Sequence, residues 1–176
     1  LFVLVLPVIG LAEHYGLREH AEILIGKLKA VTAGRIFSLY MFIRQCIVAL
    51  GVSLGGHPTF IRPLIAPMGE AAALKGRQAS KETLDRIRAQ AAASENYGNF
   101  FGQLLFVASG GLLLIKGVLE QNNLPSELET MAFYCLPTAI IVLLLAIIRF
   151  YFFDKSIEKE IAAYNAQAPH ADTATN

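Results

Sequence analysis

Residues 130–153 read TMAFYCLPTAIIVLLLAIIRFYFF, an apolar run that contains a single charged residue, Arg149. As an α-helix, a run of this length extends about 36 Å, which exceeds the hydrocarbon core of a bilayer at about 30 Å. Arg149 lies near the end of the run, where its long side chain can extend to the lipid headgroups. The stretch therefore predicts a transmembrane helix.

The composition of the whole chain supports this interpretation. The 176 residues are 55% hydrophobic and 16% charged, and the formal net charge is +1. Soluble domains carry about 25% charged residues. The sequence therefore predicts an all-α, polytopic transmembrane protein that is not an enzyme. No basic patch interleaved with aromatic residues indicates nucleic-acid binding.

Other apolar runs predict further membrane segments. Residues 1–12 are too short to span. We interpret them as the end of a helix that begins upstream, so that the chain is N-terminally truncated. Residues 36–54 and about 97–119 are long enough to span.

Residues 55–68 differ from these runs, because they combine a glycine pair with Pro58, Pro63 and Pro67. The apolar part is too short to cross as a helix, and proline removes backbone hydrogen bonds. Membranes tolerate such backbone only where protein or a polar cavity satisfies the freed groups. The segment therefore predicts a broken or re-entrant helix, completed by extended backbone, that returns the chain to the cytoplasmic side.

Lysine and arginine counts predict the orientation. The polar segments 13–35 and 69–95 are rich in both residues, whereas the loop 120–129 has neither and carries three glutamates. Residues 13–35 suggest an amphipathic surface helix, and Ser80 is a candidate N-cap in the second segment. We expect a multi-pass protein of the bacterial cytoplasmic membrane with both basic segments inside. The tail 154–176, helical at first and then of disordered composition, is also expected to be cytoplasmic.

Arg44 is the most informative charge, because it lies midway along residues 36–54. Burying an arginine there costs at least about 2.5–3.5 kcal/mol, so a partner or a wet cavity is expected. The predicted spans contain no acidic residue. Arg44 is therefore either a binding residue for an anion or half of a structural pair, with backbone carbonyls or with a carboxylate on a missing helix.

The sequence around the glycine pair predicts an anion site. Adjacent glycines permit close backbone approach to a ligand, and a helix that starts at Pro58 presents unpaired N–H groups to an anion. Hydroxyl and basic side chains add donors on both sides of the break. The candidate residues are Ser53, Gly55, Gly56, His57, Thr59 and Arg62. The alternative is a simple turn between packed helices.

Asn96, Asn99 and Gln103 form a polar stripe at helical spacing, beside the small pair Gly98 and Gly102. Small residues four apart allow helices to approach closely, and amides can hydrogen-bond across the contact. Helix packing is one explanation of the stripe. The other is that Asn99 and Gln103 contribute to the substrate site.

Enzymatic and metal-dependent functions find little support. The histidines do not stand at metal-ligand spacing, and Cys46 and Cys135 both lie in apolar runs. Ser53 near His57 lacks an identifiable carboxylate partner, and no phosphate-binding GxxxxGK[ST] motif is present. We expect no cofactor and no metal.

Four short motifs carry a family resemblance. They are YGLRE at 15–19, IRQ at 43–45, SLGGHP at 53–58 and RPLIAPM at 62–68. The sequence resembles the bacterial membrane-protein family called domain of unknown function 969, from residue 1 to about residue 153. The block from the glycine pair to Met68 is the most specific part of the resemblance.

The resemblance implies a function but no site residues. Genes of that family tend to lie beside a second membrane family, domain of unknown function 979, and near genes for pyroglutamyl peptidase or 5-oxoprolinase. The two families have been proposed to form a 5-oxoproline transporter with kinship to the ion-transporter superfamily, which uses helical hairpins and broken helices. The expected partners are thus membrane lipid, a subunit of the second family and a small carboxylate.

These observations lead to one expectation and two alternatives. The expected function is a subunit of a secondary transporter for a small carboxylate, with 5-oxoproline implied by the resemblance. Arg44 or Arg62 neutralises the carboxylate in this hypothesis. The alternatives are a structural subunit that stabilises a partner permease and, less favoured, a membrane-embedded hydrolase acting at His57 and Ser53.

Overall fold

The computed structural model describes residues 31–51 and 57–167, and this part of the chain is helical without any strand. The all-α prediction is therefore confirmed for these residues. The elements are α1 (Ala33–Ala49), a π-helical segment (His57–Ile65), α2 (Ala66–Leu74), α3 (Lys81–Gln103), α4 (Gly110–Gln121) and α5 (Leu128–Gln167). The predicted helix remnant 1–12, residues 13–30 of the predicted surface segment and the glycine pair lie outside the described residues.

Helix α5 is the one described helix that is long and apolar enough to cross a membrane. It has 40 residues, which corresponds to a length of about 60 Å. The expected tail after residue 153 is a continuation of this helix as far as Gln167. Ile157 and Ile161 from that continuation are buried in the core. The predicted boundary at residue 153 is therefore not a structural one.

The stretch 97–119, predicted as a span, is not one continuous helix, because the structure divides it between two helices. Helix α3 ends at Gln103, and Ser109 caps a new helix by accepting a hydrogen bond from the Leu112 amide. Serine is a favoured N-cap residue, and two glycines follow it in the first turn of α4. Hydropathy alone did not reveal this local stop and restart.

The start of α3 agrees with the sequence. Ser80 accepts a hydrogen bond from the Thr83 amide at 3.1 Å, which confirms it as the N-cap. Helix α3 thus runs from the polar segment 69–95, predicted to be cytoplasmic, into the apolar run at 97–119, predicted to lie in the membrane.

Residues 57–74 are helical throughout, rather than a half-helix completed by extended backbone. The first part is π-helical and contains Pro63, and it continues directly into α2. Because Pro58, Pro63 and Pro67 cannot donate backbone hydrogen bonds, a regular α-helical ladder cannot form there. The segment contacts α1, α2 and α3, with Ile61 and Ile65 in the core.

Helices α1 and α3 run in the same direction and α5 runs against them. Position 98 of α3 lies against residues 41 and 44 of α1, and position 102 lies against residues 45 and 48. Along α5 the order is reversed, because Gly34 meets Asp154 whereas Gln45 meets Ala139. The hydrophobic core, centred on Phe37, Ile87 and Phe150, lies nearer the end of the bundle where α1 begins.

Ion pairs tie the helices together at that same end. Arg77 forms a two-point contact with Glu158, with distances of 2.7 and 2.8 Å. Arg88 Nε donates to Glu70 at 2.6 Å, and Arg86 pairs with Glu160. The hydrogen bonds from Arg77 hold the pKa of the Glu158 carboxyl below its usual value. We call this region the charged end.

Above the charged end the surface is apolar. Large exposed hydrophobic side chains occupy the middle of α1, most of α4 and the first two thirds of α5. Contiguous apolar patches on soluble monomers seldom exceed a few hundred Å². In this part of the chain, the exposed surface is typical of a protein in contact with lipid or with another subunit.

Candidate functional site

A buried ion pair joins α1 to α3. Arg44 Nη2 lies 2.8 Å from Glu95 Oε1, and Arg44 Nε donates to the same oxygen at 3.0 Å. Each residue is 3% exposed. Isolated charges at this depth would be very costly, so each residue makes the burial of the other possible.

Two neighbours complete the polar network. The Tyr40 hydroxyl donates to Glu95 Oε2 at 2.5 Å, and Arg44 Nη2 donates to Asn99 Oδ1 at 3.3 Å. Tyr40 and Arg44 stand four residues apart on α1, as do Glu95 and Asn99 on α3. Residues at this spacing share one face of a helix. The four side chains, hereafter the buried polar cluster, therefore meet where these two faces pack.

Glycines on α3 allow the helices to approach closely at the cluster. A Cβ atom at Gly98 would lie 2.9 Å from both Arg44 Cβ and Met41 O, and one at Gly102 would lie 2.8 Å from Gln45 O. Carbon atoms do not normally approach other heavy atoms so closely. The small pair seen in the sequence is therefore a helix-packing device, as the packing hypothesis predicted.

Gln45 extends the polar contacts to α5. Its Nε2 donates to the Ala139 carbonyl oxygen at 3.1 Å, and Gln45 is buried. Gln45 Oε1 makes no hydrogen bond within the described part of the chain. An amide acceptor at this depth remains available to a donor, so the junction of α1, α3 and α5 is polar although the surrounding surface is apolar.

The structure brings only part of the predicted site together. Arg44 and Asn99 meet in the buried polar cluster. Arg62 and Gln103 are exposed, and Thr59 is half-buried. Ser53, Gly55, Gly56 and the side chain of His57 lie outside the described residues. The anion site expected at the glycine pair therefore stays a prediction.

The partner of Arg44 corrects one expectation. The predicted spans contain no acid, so a carboxylate on a missing helix was one of the expected partners. Glu95 of this chain supplies it, only two residues before the predicted span at 97–119. The four-residue spacing between Glu95 and Asn99 places both on one face of α3 and extends the polar stripe by one turn, but it does not indicate which helix that face contacts.

Two further cations of the predicted spans also have partners within the described residues. Lys116 lies 3.5 Å from Glu120, and Arg149 Nη1 donates to the Tyr97 hydroxyl at 3.3 Å. Across residues 31–51 and 57–167, no three histidine, cysteine or acidic side chains stand close enough together to hold a metal ion. Neither free cysteine is fully buried.

Comparison with known proteins identifies the family of the chain. No curated protein and no solved structure matches the chain. One family model matches residues 1–158, which include the whole buried polar cluster. The chain therefore belongs to the family described as protein of unknown function (DUF969).

Proposed function

We propose that this protein is a subunit of a multi-pass secondary transporter for a small carboxylate in the bacterial cytoplasmic membrane. The substrate of the proposal is 5-oxoproline, as the resemblance implies, and the second subunit belongs to the family called domain of unknown function 979. The observation that carries the proposal is the buried polar cluster beneath an apolar surface. Ionisable residues at membrane depth mark substrate or ion pathways more often than not.

The direction of the helices supports the multi-pass arrangement. Helices α1 and α3 are parallel, which agrees with two segments that leave the cytoplasm. Helix α5 is antiparallel to them, which agrees with one segment that returns to it. All three helices have basic residues at the charged end. Because lysines and arginines are enriched on the cytoplasmic side of membrane proteins, the proposal places the charged end in the cytoplasm. The helical return through residues 57–74 is irregular, as in discontinuous helices of secondary transporters.

The cluster suggests how a carboxylate could be recognised. Arg44 is already neutralised by Glu95, so an incoming carboxylate competes with the Glu95 side chain. In the proposal, the Glu95 side chain moves away from Arg44 as the substrate carboxylate takes its place. The cluster is buried, so substrate entry also requires α3 to move relative to α1.

Uptake of labelled 5-oxoproline by cells that express this chain with its partner subunit tests the proposal. We expect Arg44→Ala to reduce uptake at least tenfold, equivalent to about 1.4 kcal/mol, because it removes the cation that faces the carboxylate. His57→Ala tests the glycine-pair site in the same assay. Lys116→Ala is the matched control, since Lys116 is a partly exposed cation on α4.

A structural subunit is the second candidate, and the existing Arg44–Glu95 pair favours it. In that case, uptake remains unchanged in both Arg44→Ala and His57→Ala, provided that the complex with the partner still forms. Formation of product without accumulation of substrate would instead favour the hydrolase.

A further inference from the structure

A cleft of about 660 Å³ opens at the charged end, between the start of α1 and the second half of α5. Its basic lining residues come from α1, α5 and the residue that follows α2, and two largely apolar residues line the side toward the middle of α5. These six residues are Arg35, Lys75, Lys155, Lys159, Ile147 and Tyr151. The cleft is separate from the buried polar cluster, which none of these residues joins.

The two acidic residues of the cleft are already hydrogen-bonded within the protein, and the three lysines of the cleft outnumber them. Asp154 Oδ1 accepts a hydrogen bond from the Gly34 amide at 2.7 Å, and Glu158 binds Arg77 through both oxygens. Lys75 and Lys159 are exposed and form no ion pair with another described residue. The cleft therefore presents an excess of positive charge to a ligand.

An exposed apolar track leads from the cleft along α5. Leu136, Ile140, Leu144, Ile147 and Tyr151 are three or four residues apart and therefore share one face of the helix. All five are exposed, and Tyr151 is covered on one side by the Lys155 ammonium, 4.5 Å from the ring centroid. The track is about 22 Å long, which is enough for one acyl chain.

We propose that this cleft binds the headgroup of an anionic phospholipid, with an acyl chain along the α5 track. The phosphodiester is the chemistry that the lysines recognise, and the continuous track selects a lipid over a free phosphate. Basic pockets between helices on the cytoplasmic side of a membrane bind anionic headgroups in this way. The inference rests on the membrane placement in the proposed function but not on transport itself.

The chain contains no tryptophan, so a single introduced tryptophan reports on its own surroundings. Ile147→Trp places that reporter at the mouth of the cleft, and Tyr151→Trp serves as a second reporter. The full chain is reconstituted by itself in vesicles with either brominated phosphatidylglycerol or brominated phosphatidylcholine, which quench tryptophan on contact. We expect phosphatidylglycerol to quench both reporters at a much lower mole fraction.

Two controls define the site. Ile141→Trp on α5 is exposed, lies outside the apolar track and is about 21 Å along the helix from Lys155, so both lipids should quench it equally. In the Ile147→Trp chain, Lys155→Gln and Lys159→Gln should each weaken the preference for phosphatidylglycerol about fivefold. Lys81→Gln, an exposed lysine outside the cleft, should leave the preference unchanged.

Equal quenching of the Ile147→Trp reporter by the two lipids would overturn the proposal. So would displacement of phosphatidylglycerol by millimolar inorganic phosphate, since that result assigns the cleft to a free anion. Loss of 5-oxoproline uptake in any variant does not enter this measurement. A failed transport hypothesis and a failed lipid site are therefore distinguished.

Discussion

At the scale of single residues, Arg44 and Glu95 form a buried ion pair between α1 and α3. Both are 3% exposed, and each is the other's countercharge. An intact buried ion pair adds little net stability, because desolvation offsets the attraction. Removing one partner is different, since a buried charge is then left without compensation.

Glu95→Gln should lower the free energy of unfolding by about 3–5 kcal/mol, because it leaves Arg44 charged and buried. Thermal unfolding of the purified protein in detergent measures the effect. Glu120→Gln makes the same chemical change at a pair whose glutamate is mostly exposed, and its effect should stay within about 1 kcal/mol. Equal losses for both variants would contradict the importance assigned to burial.

The same variant separates a binding role of Arg44 from a structural one. If a carboxylate can take the place of Glu95, 5-oxoproline should raise the melting temperature of Glu95→Gln more than that of the natural protein. Acetamide, which is uncharged, serves as the control ligand. Identical shifts for the two proteins would leave Arg44 with a structural role only.

At the scale of elements, the contact between α1 and α3 depends on the glycine face of α3. Gly98 and Gly102 lie directly against the α1 backbone, whereas a Cβ atom at Gly117 of α4 would meet no other described residue within 4 Å. The same glycine-to-alanine substitution should therefore lower the free energy of unfolding at Gly98 but not at Gly117.

Gly98→Ala should destabilise the protein by about 1–3 kcal/mol, since the added methyl group forces α3 away from Arg44. Gly117→Ala should be neutral or stabilise by up to about 1 kcal/mol, because alanine favours the helix and meets no obstacle. Melting temperatures of the two variants, measured side by side, test the contact. A destabilising Gly117→Ala would show that α4 is packed against a surface outside the described residues.

Across the whole molecule, charge and apolar surface are segregated along the bundle. The ion pairs of Arg77, Arg86 and Arg88 lie at the charged end, and the exposed apolar side chains lie beyond it. This segregation has two measurable consequences, one in the pH dependence of stability and one in the orientation of the chain.

Stability should depend on pH through Glu158, whose pKa is lowered by hydrogen bonds from Arg77. A lowered pKa in the folded state stabilises above the unfolded value of about 4.3, and the contribution is lost as the pH falls through the folded pKa. Because the pair is partly exposed, the contribution is at most about 1 kcal/mol. The melting temperatures of Glu158→Gln and the natural protein should differ at pH 7 and become equal as the pH falls below about 4.

Arg77→Gln provides the control for that measurement. In an Arg77→Gln background, Glu158→Gln should have little further effect at pH 7, because the hydrogen bonds that lower the pKa are already gone. If Glu158→Gln lowers stability in the Arg77→Gln background as much as in the natural protein, groups other than Arg77 stabilise the Glu158 carboxylate.

Orientation should follow the segregation of charge. In a chain with Cys46→Ser and Cys135→Ser, a cysteine introduced at Ser126 between α4 and α5 should react with an impermeant thiol reagent in intact spheroplasts. A cysteine at Ala162, which is exposed on the last turns of α5, should react only after the membrane is opened. The reverse pattern would invert the proposed topology.

Local sequence determined the helical character of the chain, the cap at Ser80 and the long apolar helix that ends in a polar extension. These features depend on periodicity, capping and hydropathy, which neighbouring residues carry by themselves. The packing role of Gly98 and Gly102 was also foreseeable, because their four-residue spacing places them on one helix face.

Tertiary structure decided the rest. Only packing could show that Glu95, assigned to a polar segment, lies against Arg44 of another helix 51 residues away. Hydropathy likewise did not show the break between α3 and α4, because Ser109 and the two glycines after it start a new helix without making the run polar. Two charges far apart in the sequence pair only where their helices pack together, and the local sequence pattern does not specify which helices pack.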